Sequence, residues 1–238
     1  MEILIDTHVH TVSSGHAYST IDEIARFAKS KNLAVVAITD HSSAMPGAPH
    51  PFYFGNIRVL PEYIQGVRIL KGVETNIMDY DGNLDFGPEW LEGLDLVIAS
   101  FHPPCIESSD EETITRAVMK TIENPYVHII GHPGDDRYPM DFEKVVKHAK
   151  KHNVLLEVNN ASLRPTSNRV GVRDSLIEIL KFSMKHNHPI VVGTDAHFHE
   201  DVGDFKESIE LFKEIGFPED LVINLDQSKF MSFIQKGH

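Results

Sequence analysis

The chain has a single cysteine, Cys105, in 238 residues, which excludes an intrachain disulfide and suits a reducing, cytoplasmic setting. Long apolar runs are missing as well. The longest, Leu33–Ile38, has six residues, whereas a membrane helix needs about 20. The opening Met1-Glu2-Ile3 has neither a basic stretch nor a long apolar core, so no signal peptide is expected. Basic charge is scarce. The 22 Lys and Arg against 35 Asp and Glu leave a net −13, which argues against a free-standing nucleic-acid binder. There is no low-complexity segment, linker or short repeat, and 41% apolar with 24% charged residues is a globular balance. A single domain over residues 1–238 is therefore expected, and a homo-oligomer is left open. What is plentiful is histidine, with 15 residues, and histidine is the commonest metal ligand.

Short apolar runs recur along the chain at Ile3–Ile5, Leu33–Ile38, Val67–Val73, Leu94–Ala99, Val127–Ile130, Val154–Val158 and Ile190–Val192. Rich in Val, Ile and Leu and too short for helices, they read as seven buried parallel strands. Helical stripes lie between most of them. Ile21, Ile24, Ala25 and Ala28 follow a capping-box candidate at Ser19-Thr20-Ile21-Asp22. Phe142, Val145, Val146 and Ala149 form a second stripe, Leu176, Ile177, Leu180 and Met184 a third, and Phe205, Ile209, Phe212 and Ile215 a fourth. The alternation predicts an α/β fold. A hairpin is expected from Asn76–Met78 through Asp81-Gly82 to Leu84–Phe86, and a long loop over Met45–Pro51.

The histidines fall in a pattern. Strand ends carry Asp6-Thr7-His8-Val9-His10, Thr39-Asp40-His41, Gly72-Val73-Glu74, Phe101-His102, Gly131-His132 and Asp195-Ala196-His197. Six of the seven predicted strands thus deliver His, Asp or Glu at the carboxyl end. In a closed barrel those ends share one face, so their convergence favours closure over an open sheet. His8 and His10, two apart, point to the same side of an extended segment, and Asp195 and His197 repeat that spacing. With His16 in the first loop, nine ligands are available: His8, His10, His16, His41, Glu74, His102, His132, Asp195 and His197. At three to four ligands per ion they imply two or three metals. Nitrogen with carboxylate suits zinc, or manganese or iron, better than magnesium or calcium. His128 is expected inside a strand, His148, His152 and His186 as packing or surface residues of helices, and His238 as a tail residue.

These motifs resemble the PHP (polymerase and histidinol phosphatase) superfamily, and within it the YcdX-type phosphatases. The resemblance rests on His8-x-His10, His16-Ala17-Tyr18-Ser19-Thr20, Ile38-Thr39-Asp40-His41, Gly72-Val73-Glu74, His128 to Gly134, Glu157-Val158-Asn159-Asn160 and Asp195-Ala196-His197. It implies a distorted (β/α)7 TIM-like barrel, a trinuclear zinc site and phosphatase activity. His8, His10, Glu74 and Asp195 would hold one ion, His16, His41 and His197 a second, and Glu74, His102 and His132 a third, with Glu74 bridging. Three divalent ions less the charges of Glu74 and Asp195 leave about +4 locally, which attracts an anion despite the acidic whole. A small phosphate monoester is then the expected substrate, attacked in line by metal-bound hydroxide, with Glu74, Asp195 and His197 as catalytic candidates. Arg137, Asn159, Asn160, Arg164 and Arg169 are candidates for binding substrate, and Asp6 and Asp40 for orienting histidines. Cys105 lies near His102, but a thiol nucleophile would need an activating base. The rival readings are a phosphodiesterase or exonuclease, an amidohydrolase and a non-catalytic metal-binding domain. Histidinol phosphate is one substrate within the first reading.

Overall fold

The structure, a computed structural model, describes residues 1–235, so His238 lies outside the described residues. Among these residues the strands are β1 (Ile5–Val9), β2 (Val35–Ile38), β3 (Tyr63–Ile64), β4 (Val67–Asn76), β5 (Leu96–Ser100), β6 (Ile129–Ile130), β7 (Leu155–Asn159) and β8 (Ile190–Gly193). The helices are α1 (Ile21–Ser30), α2 (Phe52–Asn56), α3 (Pro88–Leu91), α4 (Glu111–Ile122), α5 (Phe142–His152), α6 (Asn160–Leu163), α7 (Val172–His186), α8 (Lys206–Ile215) and α9 (Gln227–Gln235). Seven strands pair in parallel in the order β1-β2-β4-β5-β6-β7-β8, and β3 adds antiparallel to β4. The result is a nearly closed α/β barrel of TIM-like type. No helix of the described residues is long and apolar enough to cross a membrane.

Alternate strand residues face the barrel interior. Ile5, Val35, Ala37, Leu70, Leu96, Ile98, Ile129, Leu155 and Val191 pack there, with Ile223, Phe230 and Ile234 in the same cluster. The opposite set, including Val36, Ile38, Val97, Ala99, Leu156 and Val158, joins the larger core with the helices. The helices begin where the sequence offers caps. Asp110 and Asp141 cap α4 and α5 by accepting from the Thr113 and Lys144 amides. The capping box of α1 sits one residue later than expected, on Thr20 and Glu23. Glu23 is long enough to reach back to the Thr20 amide and stands three residues on, as the motif requires.

The barrel closes between β1 and β8 through backbone and side-chain bonds, the latter including Thr7 Oγ1 to Val192 O at 3.1 Å and Thr194 to Asp6. Near the strands' carboxyl ends the backbones bond directly, His10 N to Ala196 O at 2.9 Å and Asp195 N to His8 O at 2.8 Å. Nearer the amino ends a side chain fills the seam. Asn224 Nδ2 donates to Ile5 O at 2.9 Å and Val192 O at 2.8 Å, and its Oδ1 accepts from Val192 N at 2.8 Å.

Several boundaries differ from the sequence reading. β1 runs Ile5–Val9 rather than Ile3–Ile5, and β4 continues through Glu74 to Asn76. Ending strands with the apolar run truncates those whose last residues are polar by function. His128 precedes the two-residue β6 instead of lying within a strand, and its Nδ1 accepts from Val97 N. The hairpin takes the form of an antiparallel bridge, Ile77 to Leu84, closed by a turn in which Gly82 N donates to Asp79 O. The Met45–Pro51 loop leads into the short α2. β3 and α2 carried no period signal, being two and five residues long.

Candidate metal centre

The register that buries the interior core also delivers the polar residues above it. On β2 the inward positions run from Ala37 through Thr39 to His41, and on β4 from Leu70 through Gly72 and Glu74 to Asn76. On β5 they run from Ile98 through Ser100 to His102, on β7 from Leu155 through Glu157 to Asn159, and on β8 from Val191 through Gly193 to Asp195. Two strands break the period. In β1 the pairing slips between Asp6 and Val9, three residues against two on β2. This bulge turns Val9 to the outer core and brings His8 and His10 inward. On β6, Gly131 holds the inward position and His132 is one out of phase. Its φ of +32° swings the ring back toward Glu74. Asp195 is likewise left-handed, at φ +56°. Backbone held in this region by non-glycine residues clusters at functional sites.

Glu74 stands at the centre, 1% exposed. Its two oxygens serve separate groups. Oε2 lies 2.8 Å from His41 Nδ1, 3.3 Å from His8 Nε2 and 3.5 Å from His10 Nε2. Oε1 lies 2.9 Å from His132 Nε2, 3.4 Å from His102 Nε2 and accepts from Ser100 Oγ at 2.7 Å. Asp195 Oδ1 faces His10 Nε2 at 3.2 Å and His8 Nε2 at 3.6 Å. The half-buried rings of His16 and His197 lie 4.8 Å apart, and that of His16 lies 5.0 Å from His41. All nine expected ligands therefore gather in one place. The ligand atoms in each of His8–His10–Glu74, His10–His41–His197 and His41–Glu74–His102 fall within 4.8 Å of one another. His41 Nδ1 and Glu74 Oε2 are buried without a hydrogen-bond partner although they face each other at 2.8 Å, a costly state that a cation ligated by both would relieve. Burial opposes charge on Glu74, yet His8, His102 and His41 hold its carboxyl well below the usual range. Burial, then Arg169, pushes His132 down to about 4, which keeps it a neutral ligand.

Around the ligands sits a ring of orienting groups. Ser14 Oγ donates to Asp40 at 2.6 Å, and so accepts at once from the His41 amide and from His10 Nδ1 at 3.1 Å. That sequence of bonds places the His10 proton on Nδ1 and leaves Nε2 bare, with Asp40 acting through Ser14. Asp40 also accepts from Tyr53 and from Thr11. Asn76 Oδ1 accepts from His102 Nδ1 at 2.7 Å and does the same for that ring. Asp6 meets no ligand ring. It accepts from the Thr194 hydroxyl and amide and from the Gly203 amide, and so fixes the backbone beside Asp195.

One group's role was missed from the sequence. Glu157, on the strand expected to bring no metal ligand, bonds His8 Nδ1 at 2.7 Å and accepts from the His132 amide at 2.7 Å. A lone acid inside the apolar Leu155-Leu156-Glu157-Val158 is the signal that could have found it.

The metal centre floors a cleft of about 680 Å³ lined by His16, His41, His102, His197 and three arginines, Arg137, Arg164 and Arg169. Arg137 pairs with Asp135, Arg164 with Asp201 and Asp204, and Arg169 with Asp195. The two asparagines point elsewhere. Asn159 Nδ2 bonds Glu157 and Asp195 beneath the cleft floor, while Asn160 reaches Glu207 and Ser208 of α8. Burial pushes the Cys105 thiol up to about 11, where it stays protonated.

The PHP domain family model matches residues 6–164. The chain belongs to the PHP family. It is 49% identical over 237 residues to a probable phosphatase of Thermoanaerobacter sp. (strain X514), spanning 99% of this chain and 96% of that one. A probable phosphatase of Photobacterium profundum is 41% identical, with 99% and 95% covered. Among solved structures, histidinol phosphate phosphatase from Lactococcus lactis, complexed with zinc, L-histidinol and phosphate, superposes with a TM-score of 0.65. At 19% identity, over 91% of this chain and 95% of that one, the likeness is one of PHP barrel fold.

Proposed function

We propose that this PHP protein is a metal-dependent phosphatase that hydrolyses small phosphate monoesters at a trinuclear centre, zinc being the best-suited ion. The observation that carries the reading is Glu74, each of whose oxygens faces its own group of histidines beneath a cleft lined with arginine. In this reading His8, His10, Glu74 and Asp195 hold one ion, His16, His41 and His197 a second, and Glu74, His102 and His132 a third. The probable phosphatases among its relatives support the same reaction class. The whole chain acts as one barrel domain, since β8 beyond the family match brings Asp195 to the site.

Ions held by these residues would lower the pKa of bound water and offset charge on the phosphoryl oxygens. The chain's own groups do the rest. Ser14, Asn76 and Glu157 fix the rings of His10, His102 and His8 so that the facing nitrogens stay unprotonated. Arg169 makes its bonds to Asp195, Asn159 and Ser162 through Nη1 alone. Arg169 lines the cleft, and its Nε and Nη2 take no part in those bonds, which leaves donors for an anion. Arg137 and Arg164, their charges offset by Asp135 and by Asp201 and Asp204, line the cleft as N–H donors rather than as net positive charge.

The test compares para-nitrophenyl phosphate, its bis-ester, histidinol phosphate and a cyclic amide at equal concentration with zinc-loaded protein. Monoesters are expected to turn over at least tenfold faster than the diester or amide. A clear preference for either of those rejects the reading.

A further inference from the structure

A second group of metal-type ligands lies away from the cleft. His148 and His152 stand four residues apart on α5, so both rings leave the same face, with centroids 4.4 Å apart. Glu123, at the end of α4, brings Oε1 to 3.3 Å from His148 Nε2. The ligand atoms of the three residues fall within 4.8 Å of one another. Nε2 of both histidines is buried from solvent without a hydrogen-bond partner. Ligands about 2.0–2.1 Å from a tetrahedral zinc ion are about 3.3 Å apart, and the Glu123–His148 separation matches that edge. Helices that return between parallel strands end at the barrel face opposite the strands' carboxyl ends. This group therefore sits on the far side of the molecule from Glu74.

We propose that Glu123, His148 and His152 form a separate transition-metal site that ties the end of α4 to the end of α5. Two imidazoles and one carboxylate select zinc, nickel or copper over magnesium or calcium, and water completes the coordination. The carboxyl ends of two helices meet here, and the negative ends of their dipoles favour a cation. Burial, with His152 beside it, pushes His148 down, so the ring is neutral and ready to ligate at pH 7. Lys120 bonds the other Glu123 oxygen, Oε2, at 3.0 Å and leaves Oε1 for the metal. Lys120 and Lys151 also repel a cation, which makes the site weaker than the one around Glu74.

The test uses the full chain, stripped by chelation and reloaded with zinc at micromolar free concentration. Wild type is compared with the His148→Ala/His152→Ala variant by elemental analysis and thermal unfolding. Wild type is expected to hold one zinc ion more per chain. Raising zinc a hundredfold above the dissociation constant of this site, with the barrel centre already filled, is expected to raise its Tm by roughly 5–10 °C. The variant should show neither effect and should keep the wild-type phosphatase rate. Equal zinc counts, or an extra ion retained only above millimolar zinc, overturn the proposal. Glu123→Gln, an exposed change that leaves α5 intact, provides a second arm: it should weaken zinc at this site at least tenfold, and unchanged affinity also overturns the proposal.

Discussion

The weight at this site falls on one carboxylate. In Glu74→Gln the side chain keeps its shape but offers one neutral carbonyl, and its amide nitrogen cannot ligate. His41 and His8 on one side and His132 on the other would no longer share an anion. On the proposed trinuclear reading, repulsion between neighbouring divalent ions would then lose the Glu74 charge that offsets it, and one ion would leave or shift. The expected loss is roughly 10³-fold in kcat/KM, about 4 kcal/mol of transition-state stabilisation. His16→Ala or His197→Ala, at the half-buried edge, should cost less when excess metal is supplied. Steady-state rates with metal content measured on the same samples decide the matter. Wild-type turnover at full occupancy in Glu74→Gln would make it an ordinary strand-end acid.

Each strand reads as two zones, an apolar inward layer below and a polar one above, separated in places by glycine. Gly193 lies between Val191 and Asp195, where an added Cβ would sit 2.2 Å from Glu157 Oε1 and 2.6 Å from His8 Cβ. The Gly193→Ala change therefore strikes the Glu157–His8 pair while leaving every ligand residue itself unsubstituted. It should destabilise by roughly 1–3 kcal/mol through overpacking and cut metal content and activity together, the latter about a hundredfold. Urea unfolding and elemental analysis on one preparation check this, and an unchanged His8 site would show that β8 has slack. The same two zones explain what the sequence could reveal. The apolar runs marked all seven parallel strands, and His41, Glu74, His102 and Asp195 follow from continuing the inward period past each run. His8 and His132 do not follow from it. A one-residue slip on β1 and a left-handed residue after β6 bring them in, and neither leaves a period in the sequence. Glu157 enters the sequence reading only as part of the Glu157-Val158-Asn159-Asn160 motif, with no role of its own, because it sits mid-strand rather than at a strand's carboxyl end.

At the scale of the whole molecule, a net charge of −13 surrounds a cleft of arginines and metal ligands, so attraction for a dianion is local rather than global. That locality depends on a closed barrel, because β1 and β8 carry His8, His10 and Asp195 from opposite ends of the chain. Direct backbone bonds join the strands beside those residues, Thr7 bonds Val192 O and Asp6 bonds Thr194, and Asn224 adds three bonds across the lower part of the gap. Asn224→Ala leaves the Val192 amide and the Ile5 carbonyl buried without these partners, while Val192 O keeps its bond from Thr7 Oγ1. An unsatisfied buried group costs about 1–3 kcal/mol, so a loss of roughly 3 kcal/mol is expected, lowering Tm by about 6–12 °C for a chain of this size. Asn224→Asp should do at least as much damage despite its matched shape, since it turns a carboxylate toward two carbonyl oxygens. Activity per folded molecule should stay within about threefold of wild type in the Ala variant, because the bonds from His10 and Asp195 still close the upper seam. Thermal unfolding paired with initial rates well below Tm separates the two effects. An unchanged Tm would show that the Asn224 seam does not hold the barrel, and collapse of the rate in a folded sample would show that the upper seam cannot hold the metal centre by itself.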